Sequence, residues 1–274
     1  MNLETIFNWM FNQIHLPKLN LWERRKKEIP VSPNGKKVFL YIDEFSKYLD
    51  GSIAQDAIDL LLGLGYEVAV VDHLDSARAL ISKGFLKQAK VCATQNIAYF
   101  KSKVSKTIPL LGIEPSAILG FRDEFLRLVD DRAAASHVSK HVYLLEVFLA
   151  SEFEKGEISK TLFTQAPAQI KIHVHCHQKA FAAVSPALEL LRLIPNANPQ
   201  LIESSCCGMA GSFGYEVEHI EASKQMAELS LLPTIRKHPD ALVVADGTSC
   251  RHQIADGASR EAMHIAKVLE KCLI

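Results

Sequence analysis

Apolar residues in this chain fall into two kinds of run. Short β-branched or aromatic stretches at Val38 to Ile42, Glu67 to Val71, Pro109 to Ile113, Ile170 to Val174 and Leu242 to Ala245 have the length and bounds of buried strands. Between them, Ile53 to Leu64 and about Ser185 to Ile194 carry apolar residues at helical spacing. Strands alternating with helices favour parallel sheets flanked by helices, and ligands of such sheets gather in loops beyond the strand carboxyl ends.

The same order of elements occurs twice. In each half a strand and a helix lead to a second strand-like segment and a loop, and a further buried strand closes on Glu114-Pro115-Ser116-Ala117 or on Gly247-Thr248-Ser249-Cys250. Overlaying the halves sets Asp43 against Cys176, Asp75 and Ser76 against Cys206 and Cys207, and Ala117 against Cys250. The expected fold class is therefore α/β, with two similar modules related by a pseudo-twofold duplication, each a mainly parallel sheet flanked by helices. The expected division is an N-terminal helix and linker (1–30), a first module without these thiols (31–165) and a second module with four cysteines (166–274). In the N-terminal segment Ile6, Trp9, Met10 and Ile14 recur at helical spacing before the charged linker WERRKKEIP. Its apolar stripe fits equally a helix packed on its own domain and a docking segment for a partner chain.

Composition narrows the function classes. Thirty-one acidic and 31 basic residues balance, so no overall field draws the chain to nucleic acid or an anionic membrane. No stretch approaches the ~20 apolar residues that cross a bilayer, and the N-terminus lacks the order of a secretory signal. A cytoplasmic location is expected. Six cysteines in 274 residues are too few for a disulfide scaffold, and clustered thiols in a reducing compartment point to metal or redox chemistry.

Four of them, Cys176, Cys206, Cys207 and Cys250, fall at loop positions on three separate segments. Four thiolates complete a tetrahedral site or an iron–sulfur cluster, while the paired C-x-x-C hairpins of a zinc ribbon are absent. Adjacent Cys206 and Cys207 do not readily bridge each other but can both face a cluster. Gly208 and its neighbours Gly211 and Gly214 permit close backbone approach, with N–H groups available to cluster sulfur, and do not match a dinucleotide fingerprint. His173, His175 and His177 alternate as on one face of a strand running into a loop; His175 and His177 are candidates to ligate or tune a metal, or are ordinary polar residues. Arg251 is a candidate to offset thiolate charge, and His252 is ambiguous in the same way as the other histidines. Cys92 and Cys272 are read as structural. Disulfide exchange at Cys206 and Cys207 has no C-x-x-C and no base at fixed spacing to support it.

HCHQKA at 175–180, CCGMAGSFGYE at 206–216 and GTSCRHQI at 247–254 resemble the cysteine-rich CCG domain found in heterodisulfide reductase and in the iron–sulfur component of glycolate oxidase. ALISKG at 79–84 and GIEPSAILGFRDEF at 112–125 extend the likeness to the C-terminal iron–sulfur region of FAD-linked oxidases and dehydrogenases of D-2-hydroxy acids such as D-lactate and D-2-hydroxyglutarate. The resemblance implies an iron–sulfur electron-transfer subunit or fragment, with a four-iron cluster, cubane or noncubane, or zinc as the alternative, on Cys176, Cys206, Cys207 and Cys250. It also implies partners that carry FAD and ferredoxin-like clusters. The first module departs from the family pattern: Asp75-Ser76-Ala77 stands at its CCG and Pro115-Ser116-Ala117 at its P-S-C, so no first-module cluster is expected. The family's His-Pro before the last helix is His264-Ile265 here, a change expected to be tolerated. A zinc-bound or metal-free interaction module that has lost redox function is the competing expectation.

Overall fold

The computed structural model describes residues 19–23, 36–164, 169–181 and 184–274. The first half runs β1 (Lys37–Tyr41), α1 (Glu44–Tyr48), α2 (Gly51–Gly63), β2 (Glu67–Val71), α3 (Arg78–Ser82), α4 (Leu86–Phe100), β3 (Leu110–Gly112), α5 (Pro115–Ile118), α6 (Glu124–Leu128), α7 (Arg132–Ser139), β4 (Val142–Leu144) and α8 (Leu145–Glu154). The second runs β5 (Gln169–His173), α9 (Cys176–Ala180), α10 (Val184–Leu191), β6 (Asn198–Leu201), α11 (Ile220–Glu228), α12 (Leu231–Lys237), β7 (Leu242–Ala245), α13 (Thr248–Ala258), β8 (Ala262–Met263) and α14 (Ile265–Cys272).

Each half builds a four-stranded, all-parallel sheet, in the orders β2-β1-β3-β4 and β6-β5-β7-β8. The two orders are the same once the second is renumbered, so the duplication read from the sequence is present in the fold. Period-2 alternation decides what each strand faces. Val38, Leu40 and Ile42 of the first half and Ile170, Ile172 and Val174 of the second share one core with α2, α8, α10 and α14, which lie between the sheets. Tyr41 turns instead to a separate core on the far side of the first sheet, where it meets Phe100 and Phe121 edge-on, and Val243 and Ala245 turn to the far side of the second.

Three strands, β1, β3 and β5, end one residue before their apolar runs do. Ile42 and Val174 are buried in the shared core just past β1 and β5, and Ile42 N–H still bonds Val71 C=O. Ile6, Trp9, Met10 and Ile14 lie outside the described residues. Trp22, read as the start of a charged linker, is instead a core residue: its N–H bonds Lys47 C=O, and a side chain at Gly51 would collide with its backbone.

Buried polar contacts lock the halves together. Gln178 Nε2 donates to Glu146 Oε1 at 2.6 Å and to Asp246 Oδ2 at 2.8 Å. His264 Nε2 contacts Ile113 C=O, and Glu114 accepts from Thr248 N–H at the start of α13. Ile265 N–H, which a proline could not supply, donates to Asp246 Oδ1, so the departure at His264-Ile265 adds a hydrogen bond.

Burial, followed by the nearby Asp246 charge, pushes Glu146 up to about 8, and burial pushes Asp43 up to about 8 as well. A carboxyl raised in the fold takes up a proton on folding, so its stabilising contribution is full below its unfolded pKa of about 4.3 and is lost as pH rises toward about 8. Denaturant midpoints are expected to fall between about pH 5 and about pH 8, and to fall less steeply in Glu146→Gln, where the residual slope belongs to Asp43 and the other raised carboxyls, Glu44 and Asp56. Parallel slopes for the two proteins would count against a protonated Glu146.

Candidate metal centre

Three loops at the carboxyl edge of the second sheet carry the four thiols. The parallel register of β5 with β7 pairs His173 with Ala245, and two residues later each strand delivers an N-cap, His175 for α9 and Gly247 for α13. Cys176 is thus the first residue of one helix and Cys250 the third of the other. Gly247 has no Cβ for a physical reason: one there would sit 2.5 Å from His175 Cδ2 and 3.2 Å from Cys250 Sγ. The third loop follows β6 and turns at Gly208, whose φ of +90° and position against Ser223 C=O, 2.1 Å from an ideal Cβ, exclude any side chain.

The loops bring the sulfurs together on one cavity of about 210 Å³, lined by Cys176, Cys206, Cys207 and Cys250. The Cys250 thiol donates to Cys207 Sγ at 3.2 Å, and the four sulfurs interact through the cavity. Interaction with the neighbouring sulfurs first, then burial, holds the Cys176 and Cys207 thiols well above the ordinary cysteine range, while the same interactions hold Cys206 and Cys250 well below it. Backbone N–H groups also address the sulfurs: Gly208 N–H donates to Cys206 Sγ at 3.3 Å, and those of His177 and Met209 favour the anionic forms of Cys176 and Cys207. Four sulfurs with N–H donors around them match the donor chemistry of a thiolate-bound metal or cluster.

The histidines separate. Because β5 ends at His173, the three do not share a strand face: His173 lies on the strand, His175 caps α9, and His177 sits in its first turn. His175 Nδ1 accepts from His177 N–H, which leaves the proton of the neutral ring on Nε2. Burial, then the charges of His175 and Arg78, keep His177 below the ordinary histidine pKa. The two rings stack at 5.2 Å, with each Nδ1 3.8 Å from Cys176 Sγ. His173 was not singled out as a ligand or tuner from the sequence, yet its ring and the sulfurs of Cys207 and Cys250 form a buried group with donor atoms within 4.8 Å of one another.

Arg251 does not line the cavity. Its guanidinium donates to the carbonyls of Ala245 and Asp246 and to Thr248, and pairs with Asp50 of the first half. The cation at the cavity wall is Arg78 of the first half, paired with Glu124 and joined there by Ser82 and Ser116. No spacing rule marks Arg78, because it reaches the site from the other module. His252 bonds Tyr215 OH at 2.6 Å. Cys92 donates to Asp75 C=O and is pushed up to about 11 by burial, and Cys272 sits in the shared core.

The first module carries the same three loops with other chemistry. Asp43 and His175 are both N-caps, so the structural equivalent of Cys176 is Glu44, one residue beyond the sequence overlay. Ala77, at φ +61°, is the counterpart of Gly208, which leaves Asp75 and Ser76 opposite Cys206 and Cys207. Glu44 accepts from Ser76 N–H at 2.8 Å and Ser76 Oγ at 2.7 Å, so a carboxylate–hydroxyl contact joins the loops where the second module has sulfur.

Gly208→Ala is expected to lower unfolding free energy by at least about 1–3 kcal/mol in denaturant titration, from left-handed strain plus the clash with Ser223. Ala77→Gly, which removes a Cβ from the same conformation, is expected to leave stability within about 1 kcal/mol of the parent. Equal effects at the two sites would contradict the equivalence of the loops.

No protein-family model matches the chain. Over 221 residues it is 28% identical to D-2-hydroxyglutarate dehydrogenase of Haemophilus influenzae, covering 79% of this chain and 21% of that protein. It is 25% identical over 240 residues to D-2-hydroxyglutarate dehydrogenase of Pantoea ananatis, covering 87% and 23%. It is also 27% identical over 234 residues to one of the subunits of anaerobic glycerol-3-phosphate dehydrogenase of Escherichia coli K12, covering 84% and 57%. The chain therefore spans about a fifth of the first of these relatives and little more than half of the last, and each relative is a dehydrogenase or a dehydrogenase subunit.

Proposed function

We propose that this chain is an iron–sulfur electron-transfer subunit or segment of a flavin-dependent oxidoreductase of 2-hydroxy acids, of the D-lactate, glycolate or D-2-hydroxyglutarate type. The observation that carries the reading is the meeting of Cys176, Cys206, Cys207 and Cys250 on one cavity from three loops. The dehydrogenase relatives support the reaction class. Flavin and ferredoxin-like clusters belong, in this reading, to partner chains or segments, and the substrate is oxidised there.

The four sulfurs would hold a four-iron cluster, cubane or noncubane, which when bound supplies one-electron acceptance and release. This chain's residues set its surroundings. N–H groups of His177, Gly208 and Met209 stabilise charge on three of the sulfurs, and Arg78 places a cation at the cavity wall. Buried Cys207 and Cys250 keep half of the site out of water, while exposed Cys176 faces the approach of a partner. Among the described residues no helix is long and apolar enough to cross a membrane, and the proposed setting is the cytoplasm.

A second reading, a zinc-bound or metal-free interaction module, draws on the buried group of His173, Cys207 and Cys250, a donor set that also suits redox-silent zinc. Loss of the first-module thiols fits it too. The two readings separate on metal content. Protein purified without oxygen is expected to contain iron and sulfide in equal amounts and to give an EPR signal on reduction or oxidation. Cys206→Ser and Cys250→Ser are each expected to lose most of the iron while keeping the circular dichroism of the parent. Stoichiometric zinc without iron would establish the second reading, and colourless metal-free protein would leave only an interaction role.

A further inference from the structure

We infer that His173 is a positioning residue of this centre, its Nε2–H directed at the thiolate of Cys250 from the buried side, where it stabilises negative charge on the sulfur and raises the potential of the bound group. The inference rests on the proposed reading of Cys250 as a metal-bound thiolate.

His173 is the last residue of β5, and strand alternation turns its ring away from the shared core, toward the face where Cys207 and Cys250 pack. The residue is 1% exposed. Its Nδ1 lies 2.8 Å from Ser204 Oγ, but its Nε2 is buried and makes no hydrogen bond. A buried polar atom without a partner destabilises the fold, so it calls for a partner that completes it.

Two tautomers satisfy the Ser204 contact at 2.8 Å: Nδ1–H donating to the hydroxyl, which then turns to Ile202 C=O at 3.5 Å, or the hydroxyl donating to Nδ1. We assign the second, which forgoes only the long 3.5 Å contact and places the N–H of the neutral ring on Nε2, facing the sulfurs. The first would leave Nε2 bare, as a ligand, and is the outcome that loss of iron from the variants would reveal. A protonated Nε2 donates and does not ligate. Its ring and the sulfurs of Cys207 and Cys250 have donor atoms within 4.8 Å of one another, and no other polar partner engages that nitrogen. The Cys250 thiol points to Cys207 Sγ at 3.2 Å. Metal binding displaces the thiol protons and leaves two buried thiolates, and His173 holds an N–H for the charge. Hydrogen bonds to a cluster's sulfur favour its reduced, more negative state.

The test uses the full chain prepared without oxygen, as wild type, His173→Ala and His173→Gln, with iron and sulfide analysis and an EPR-monitored potential titration. The expected result is unchanged iron and sulfide in His173→Ala with a shift to lower midpoint potential, and partial return of the potential in His173→Gln, whose amide still donates. Loss of iron from folded His173→Ala and His173→Gln would make His173 a ligand and overturn the inference, as would an unchanged potential. Should neither variant fold, ¹⁵N-histidine labelling of a His175→Asn/His177→Gln double variant, which removes the two rings beside Cys176, decides by pulsed EPR: a weakly coupled nitrogen that remains supports the hydrogen bond, whereas a strongly coupled one or none overturns it. Wild type that holds zinc and no iron defeats the iron–sulfur reading by itself. In that case cobalt substitution tests His173: a sulfur-to-cobalt band that shifts in His173→Ala with its four-thiolate character intact supports the hydrogen bond, and an unmoved band or the loss of a nitrogen ligand overturns it.

Discussion

The cysteine site depends on the parallel register between β5 and β7. Because His173 pairs with Ala245, the two strands end level, and the helices that follow them start side by side with Cys176 and Cys250 in their first turns. A slip of one residue would turn Cys250, and with it the face carrying Val243 and Ala245, toward the wrong core. Register is in turn held by what lies on the two faces. Ile170, Ile172 and Val244 bury in the shared core, and Gln178 ties the loop after β5 to Asp246 after β7. The sulfurs meet because the apolar faces of two strands leave them no other pairing.

That dependence explains what was legible in the sequence. Buried parallel strands read as continuous apolar runs, so β2 and β7 are legible to the residue and β1, β3 and β5 to within one, whereas β4, β6 and β8, short strands at the sheet edges, carry no run long enough to mark them. Repeat order and the thiol positions were legible for the same reason, since loops beyond parallel strands carry the chemistry. The register of the first loop was not. Asp43 looks like the partner of Cys176 only until the caps are seen, because aspartate caps a helix through its carboxylate and His175 does so through Nδ1, a use of histidine that no spacing rule records. Arg78 and the true engagement of Arg251 were hidden for a different reason. Both are contacts between modules, and charge taken along the chain says nothing about which module faces which.

The first module shows how these loops close without sulfur. Glu44 stands where Cys176 does and grips Ser76, the counterpart of Cys207, through both its N–H and its hydroxyl. Burial raises the Glu44 carboxyl, while those bonds to Ser76 work to lower it. A bidentate grip of this kind joins the same two loops that a shared metal would join, at the cost of burying a carboxylate, and the Ser76 donors offset that cost. Ala77, strained at φ +61°, makes the same turn that Gly208 makes freely.

The first module also serves the cysteine-bearing loops of the second. Glu114, the N-cap of α5, sends one carboxylate oxygen to Ser116 and the other across the interface to Thr248 N–H, the first residue of the helix that bears Cys250. Asp50 pairs with Arg251 on that same helix, and Arg78 with Ser82 and Ser116 forms the far wall of the cavity. Each contact is a charged or polar group from residues 36–164 acting on the cysteine-bearing loops, and together they fix how α13 enters the site. Retention of the first module follows from this arrangement: without Glu114 and Asp50, the start of α13 would lose an acceptor and Arg251 its counter-charge, leaving buried groups unpaired at the very loop that positions Cys250.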